Sequence, residues 1–143
     1  MTVPARISIV TIGVSDLARS TKFYQALGWK KSASSSAAIS FFRTAGGVLA
    51  LYPFDLLAED AKLPALRSQG FGGVTLAINV ERAEDVQPSL DAAAKAGAKI
   101  LKPAVNADWG GVSGYFADPD GYPWEIAWNP HSSFKPDGSL DVR

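Results

Sequence analysis

The residues best suited to chemistry lie in Gly114–Pro130, GYFADPDGYPWEIAWNP, where Glu125 stands among aromatic and aliphatic side chains on a predicted strand. A carboxylate there can hold a cation, accept hydrogen bonds from a ligand, or take a proton as a general base. Few other groups could assist it. The chain has one histidine, His131, and no cysteine. Thiolate metal sites, disulfides and cysteine nucleophiles are therefore excluded. A Ser-His-Asp triad would have to use an imidazole that follows the last predicted strand. The serine run SASSSAA (32–38) reads as a flexible connection between strands. There is no P-loop, and GGVSG is no dinucleotide fingerprint, because no strand leads into it with a helix following.

Composition narrows the partner. The 143 residues are 47% apolar, which suits one compact domain over 1–143 or two small halves sharing a core. With 14 basic and 14 acidic residues the formal net charge is zero, so there is no electrostatic footprint for nucleic acid or an anionic membrane. No apolar run approaches the roughly 20 residues that cross a bilayer. MTVPARISIV lacks the long apolar region of a signal peptide. The expectation is a cytoplasmic globular protein whose partner is a small molecule.

The elements that must position Glu125 come in two similar sets. Residues 7–14, ISIVTIGV, read as a strand rich in β-branched residues. A helix follows: Ser15 or Asp16 can cap it, Leu17, Phe23, Tyr24 and Leu27 give it an apolar face, and Gly28 suits its left-handed C-terminus. ISFFRTAGGVLALYPF reads as two strands about a Gly46–Gly47 turn. The order then repeats. GGVTLAINV (72–80) is a strand, a helix from about Asp85 to Ala96 stops at Gly97, AKILKPAV is a strand, and the last hairpin turns at Asp118–Gly121. Pro88 falls in the first turn of that helix, where a missing N–H costs little. Each half thus reads β-α-β-β-β, an α+β fold of two βαβββ modules. Module one covers about 5–54 and module two about 71–130. A linker (55–70) with at most a helical turn joins them, and a loosely attached polar tail (131–143) ends the chain.

Strand alternation separates two faces in each module. Val10, Ile12 and Val14 share one face, matched by Val74, Leu76 and Ile78; Ile9, Thr11 and Gly13 share the other, matched by Gly73, Thr75 and Ala77. The large aliphatic face should cover the helix. The smaller face either lines a cavity between curved sheets or permits tight sheet packing.

Two segments carry a resemblance. GVSDLARSTKFYQALGW and YFADPDGYPWEIAWNP, in this order, resemble the vicinal oxygen chelate superfamily of glyoxalases, bleomycin-resistance proteins and extradiol dioxygenases. The resemblance covers roughly residues 5–130. It implies paired βαβββ modules, a small-molecule site on the concave face and a homodimer. Catalytic members hold a divalent metal there with His and Glu from the first and last strands of the modules. Carried over by residue, those ligand positions fall on Ile9, Ala50 (to within one residue), Gly73 and Glu125. Ile, Ala and Gly offer no donor, so the expectation is no metal and no other cofactor.

Without a metal, three roles for Glu125 stay open: contact with a donor-rich or cationic ligand, general base, or a carboxylate satisfied by Thr11, Thr75, a tyrosine hydroxyl or water. Parity places Glu125 with Pro123 and Ala127, opposite Trp124, Ile126 and Trp128. Tyr52, on the face of Ala50, and Trp109, in the loop DWGG, are candidate ligand contacts. So are one of Tyr115 and Phe116, and Phe42 in the first half. Flat rings in a cleft suit a planar or aromatic ligand. The leading expectation is metal-independent binding of such a molecule. The alternatives are a lyase or isomerase using Glu125 as base and, last, a metal-dependent glyoxalase or dioxygenase.

Overall fold

A computed structural model describes residues 1–67 and 69–142; Ser68, inside the expected linker, and Arg143, at the end of the tail, lie outside the described residues. Module one opens with strand β1 (Ile9–Val14) and helix α1 (Leu17–Ala26). Asp16 is the cap: its Oδ1 accepts the backbone N–H of Arg19 at 3.0 Å. Gly28, at φ 96°, ends the helix in the left-handed conformation that costs glycine least. β2 (Ser40–Thr44) and β3 (Gly47–Pro53) form the expected hairpin. The sheet order is β1-β3-β2, with β1 parallel to β3. The additional strand expected before this hairpin is reduced to a single bridge, Lys31 to Phe42.

Module two keeps the full β-α-β-β-β order. β4 (Leu76–Asn79), α3 (Val86–Ala96), β5 (Lys99–Asn106), β6 (Val112–Ala117) and β7 (Pro123–Trp128) give a sheet ordered β4-β7-β6-β5. β4 is shorter than the expected 72–80, because Gly73 at φ 94° breaks the extended run and leaves Val74 exposed. Between the modules the linker forms α2 (Phe54–Asp60), a longer helix than the single turn expected. The tail also differs from expectation. It forms a small hairpin, β8 (Ser133–Phe134) with β9 (Leu140–Asp141), and its Ser139 lies against Gly46 in the β2–β3 turn.

One continuous core joins the modules. Ile12, Val14, Phe42, Leu49 and Leu51 of the first sheet pack with Phe23 and Tyr24 of α1, Leu90 of α3, and Phe116, Trp124 and Ile126 of the second sheet. Its centre is aromatic: Phe23 meets Tyr24 edge-on at 5.0 Å, and Phe116 stacks parallel to Trp124 at 6.2 Å. Side chains at alternating positions therefore point either toward α1 and α3 or to the opposite, inner face of each sheet.

Candidate functional site

The register of the second sheet fixes what surrounds Glu125. Ala77 of β4 lies opposite it on one side and Tyr115 of β6 on the other. Along the same face Pro123 and Ala127 flank Glu125, and Ser113 and Ala117 flank Tyr115. A half-buried carboxylate and a half-buried phenol therefore sit among small side chains on the inner face. The Tyr115 proton is held above the ordinary tyrosine range, first by burial and then by the charge of Glu125 beside it. Tyr115 thus stays a donor at neutral pH. Phe116, one residue on, points the other way into the core.

Module one presents a different inner face. Thr11, Gly13, Ala50 and Tyr52 share it by register, and α2 turns across it immediately after β3. A Cβ on Gly13 would stand 2.9 Å from the Phe54 ring and 3.0 Å from its Cα, so only glycine lets the helix come this close. Between β1, α2 and β4 remains a cleft of about 450 Å³. Thr11, Phe54, Leu57, Val74, Tyr122 and Pro123 are among its walls, and among the described residues no wall residue is charged. Pro123 belongs to the same face as Glu125, two residues along β7.

The other expected site residues scatter. Thr11 is exposed and lines the cleft, Tyr52 is half-buried beside Gly13, and Thr75 is exposed ahead of β4. Trp109 lies at the far end of the sheet, folded over Gly111 and the Trp128 carbonyl rather than over Glu125. Phe42 is a correction: it is fully buried and packs 5.8 Å from Tyr24. The physical reason is register. Phe42 pairs with Leu49 on the helix-facing side, whereas Phe41 pairs with Ala50 on the inner side.

Sequence reasoning missed a buried polar cluster at the junction of the modules. Asp118 Oδ2 accepts the Tyr24 hydroxyl at 2.7 Å, and its Oδ1 accepts the backbone N–H groups of Asp120 and Tyr122 at 2.9 Å. Trp124 Nε1 donates to the Tyr24 oxygen at 3.0 Å. Asp120 accepts from the Ser15 N–H, the Ser15 hydroxyl and the Ser20 hydroxyl at 2.7 to 2.9 Å. Tyr122 donates to the Gly13 carbonyl at 2.7 Å. DPDG is therefore more than a turn: its carboxylates bind α1 of the other module. Burial pushes Asp118 upward and outweighs the hydrogen bonds that favour its charged form. The signal available in the sequence was the pair of acids within an apolar hairpin; their partners lie about a hundred residues away.

The positions expected to ligate a metal hold Ile9, which is 51% exposed, Ala50, which is 1% exposed, and Gly73 in a loop. None carries a donor atom. Among the described residues no three His, Cys, Asp or Glu side chains come together. This donor set does not fit a divalent ion. Among the described residues no helix is long and apolar enough to cross a membrane.

Comparison with known proteins agrees with the fold. The sequence profile of the Glyoxalase/Bleomycin resistance protein/Dioxygenase superfamily matches residues 6–126. A glyoxalase-related enzyme from Fulvimarina pelagi is 34% identical, with a TM-score of 0.87 over 97% of this chain and 99% of that one. A glyoxalase/bleomycin resistance protein/dioxygenase family enzyme from Burkholderia phytofirmans PsJN shares the fold at 21% identity and TM-score 0.77, over 87% of this chain and 98% of that one. A lactoylglutathione lyase from Agrobacterium tumefaciens does so at 19% and 0.66, over 88% and 95%. No curated protein matches the sequence.

Proposed function

Because the chain belongs to the glyoxalase/bleomycin resistance protein/dioxygenase superfamily yet has no donor at three of its four expected ligand positions, we propose that it binds a small organic molecule without a metal. The ligand is planar or aromatic and lies on the inner face, in a homodimer whose second copy covers exposed apolar residues such as Ile9 and Val74. One observation carries the reading: Glu125 and Tyr115 stand opposite each other on β7 and β6, both half-buried among small side chains. The carboxylate accepts from the ligand and the phenol donates to it. Thr11, Tyr52 and Thr75 are additional contacts in this reading.

A thermal-shift screen of aromatic metabolites and antibiotics, with a product assay on each hit, tests it. Glu125→Gln should weaken the hits at least tenfold; unchanged affinity would remove Glu125 from the site. Titration with Zn²⁺, Ni²⁺ and Mn²⁺ tests the metal. Stoichiometric micromolar binding that Glu125→Gln abolishes would overturn metal independence.

The pairing of a carboxylate with a protonated phenol also favours a second reading, an isomerase acting beside a carbonyl. Glu125 would take the proton from the carbon next to the carbonyl, while the electron pair moves to an oxygen held by the Tyr115 hydroxyl. On an α-hydroxy carbonyl compound the same proton would return to the former carbonyl carbon while the substrate's hydroxyl proton moves to the oxygen held by Tyr115, so that carbonyl and hydroxyl exchange places. Turnover of any hit, lost in Glu125→Gln, distinguishes this from binding alone.

A further inference from the structure

Arg67 stands against one wall of the cleft between β1, α2 and β4, without being among the residues that line it. Its guanidinium carbon lies 4.1 Å from the centre of the Phe54 ring, and Phe54 is a cleft wall. Stacking on a ring holds a guanidinium flat and leaves its N–H fork facing outward. Its other neighbour is Asp120, at 3.8 Å, too long for a hydrogen bond. Asp120 already accepts three hydrogen bonds from Ser15 and Ser20 and has Arg19 at 3.5 Å, so two guanidinium groups share one carboxylate. Among the described residues no side chain lining the cleft carries charge. The Tyr122 hydroxyl, which could otherwise donate to a ligand, is used by the Gly13 carbonyl.

From this arrangement we propose that the cleft binds an apolar or aromatic carboxylic acid, its ring among Phe54, Leu57 and Val74 and its carboxylate on the Arg67 fork. A planar fork matches a carboxylate through two parallel N–H···O bonds, which a neutral amide cannot accept as strongly. The proposal rests on the reading that the inner face takes a small molecule, but it does not depend on Glu125, which is not among the cleft walls.

Two competitors of the same shape test it, 2-naphthoate and the neutral 2-naphthamide. Each displaces the neutral fluorescent reporter N-phenyl-1-naphthylamine from the full chain at pH 7. The wild type should release the reporter at a naphthoate concentration at least tenfold below that needed for naphthamide. Arg67→Gln should erase that preference, read as the ratio of the two displacing concentrations within the variant itself. Ala58→Phe, which fills the cleft, should abolish reporter binding. Equal competition in the wild type, or a preference that survives Arg67→Gln, overturns the acid while leaving small-molecule binding intact. Reporter that binds unchanged to Ala58→Phe removes the cleft as its seat and overturns the proposal. No reporter binding to any variant would sink the proposal together with small-molecule binding in this cleft.

Discussion

The two modules use the same alternation of strand faces to opposite ends. In module one the inner face is partly covered: α2 closes on Gly13 and Ala50 is 1% exposed, while Thr11 stays open to the cleft. In module two the inner face keeps a carboxylate and a phenol side by side and half exposed. The connection after β3 makes the difference. β3 runs straight into α2, which folds back across its own sheet, whereas β7 runs into a tail hairpin that packs by the β2–β3 turn. An internal repeat thus provides two equivalent surfaces, and the connecting segments decide how far each is covered.

That contrast holds only while the modules keep their relative position, and Asp118 is the strongest test. Asp118→Ala would orphan the Tyr24 hydroxyl and two backbone N–H groups in the core. The expected loss is on the order of 4 kcal/mol in chemical denaturation. Asp118→Asn reproduces the shape and donor of the protonated acid and isolates the charge. Because burial raises the folded pKa of Asp118, the folded state binds its proton more tightly than the unfolded state. Its contribution is complete below the unfolded value of about 4 and is lost as pH rises through the folded pKa. Stability of the wild type relative to Asp118→Asn should therefore fall across that window and be flat on either side. A relative stability that rises with pH would reverse the assignment.

Glycines sharpen the comparison, since each module has one where a helix meets its sheet. A Cβ on Gly114 would lie 2.5 Å from Leu90 Cδ1 and 2.7 Å from the Lys102 carbonyl oxygen. That carbonyl belongs to a strand backbone and cannot give way, so Gly114→Ala should cost about 3 kcal/mol. At Gly13 the obstacles are the Phe54 ring, which can turn, and the Phe54 Cα at 3.0 Å, which need give by only a few tenths of an ångström. Gly13→Ala should cost about 1 kcal/mol and raise amide hydrogen exchange in α2 while leaving module two protected. Equal losses at the two sites would mean that α2 is packed as rigidly as α3, and that module one's inner face is permanently closed.

Most of the skeleton was legible because its signals are local. Asp16, Gly28, Gly97 and the Asp118–Gly121 turn mark boundaries through the backbone conformations they allow, and the structure places each at an element end. Strand alternation grouped Glu125 with Pro123 and Ala127 and the family resemblance made theirs the inner face; Trp124 and Ile126, on the other face, are in the core. Phe41 and Phe42 carried no such signal: two adjacent rings suit either face, and only pairing with Leu49 and Ala50 decides. α2 was underestimated because DLLAED is too short to show a helical period. The grip of DPDG on Ser15, Ser20 and Tyr24 is a contact between segments about a hundred residues apart, which no local pattern encodes.

The smallest effect tests the open face most directly. Burial is the larger cause of the raised Tyr115 pKa, and the Glu125 charge adds to it. Glu125→Gln should therefore lower the Tyr115 titration part of the way toward the ordinary value near 10, read as tyrosinate absorbance with Tyr115→Phe as the blank. The far-ultraviolet circular dichroism of Glu125→Gln should match that of the wild type; a changed spectrum would mean that the substitution disturbed the fold. No shift at Tyr115 would mean that the carboxylate points away from the phenol. The two would then offer a ligand separate contacts, not a paired acceptor and donor.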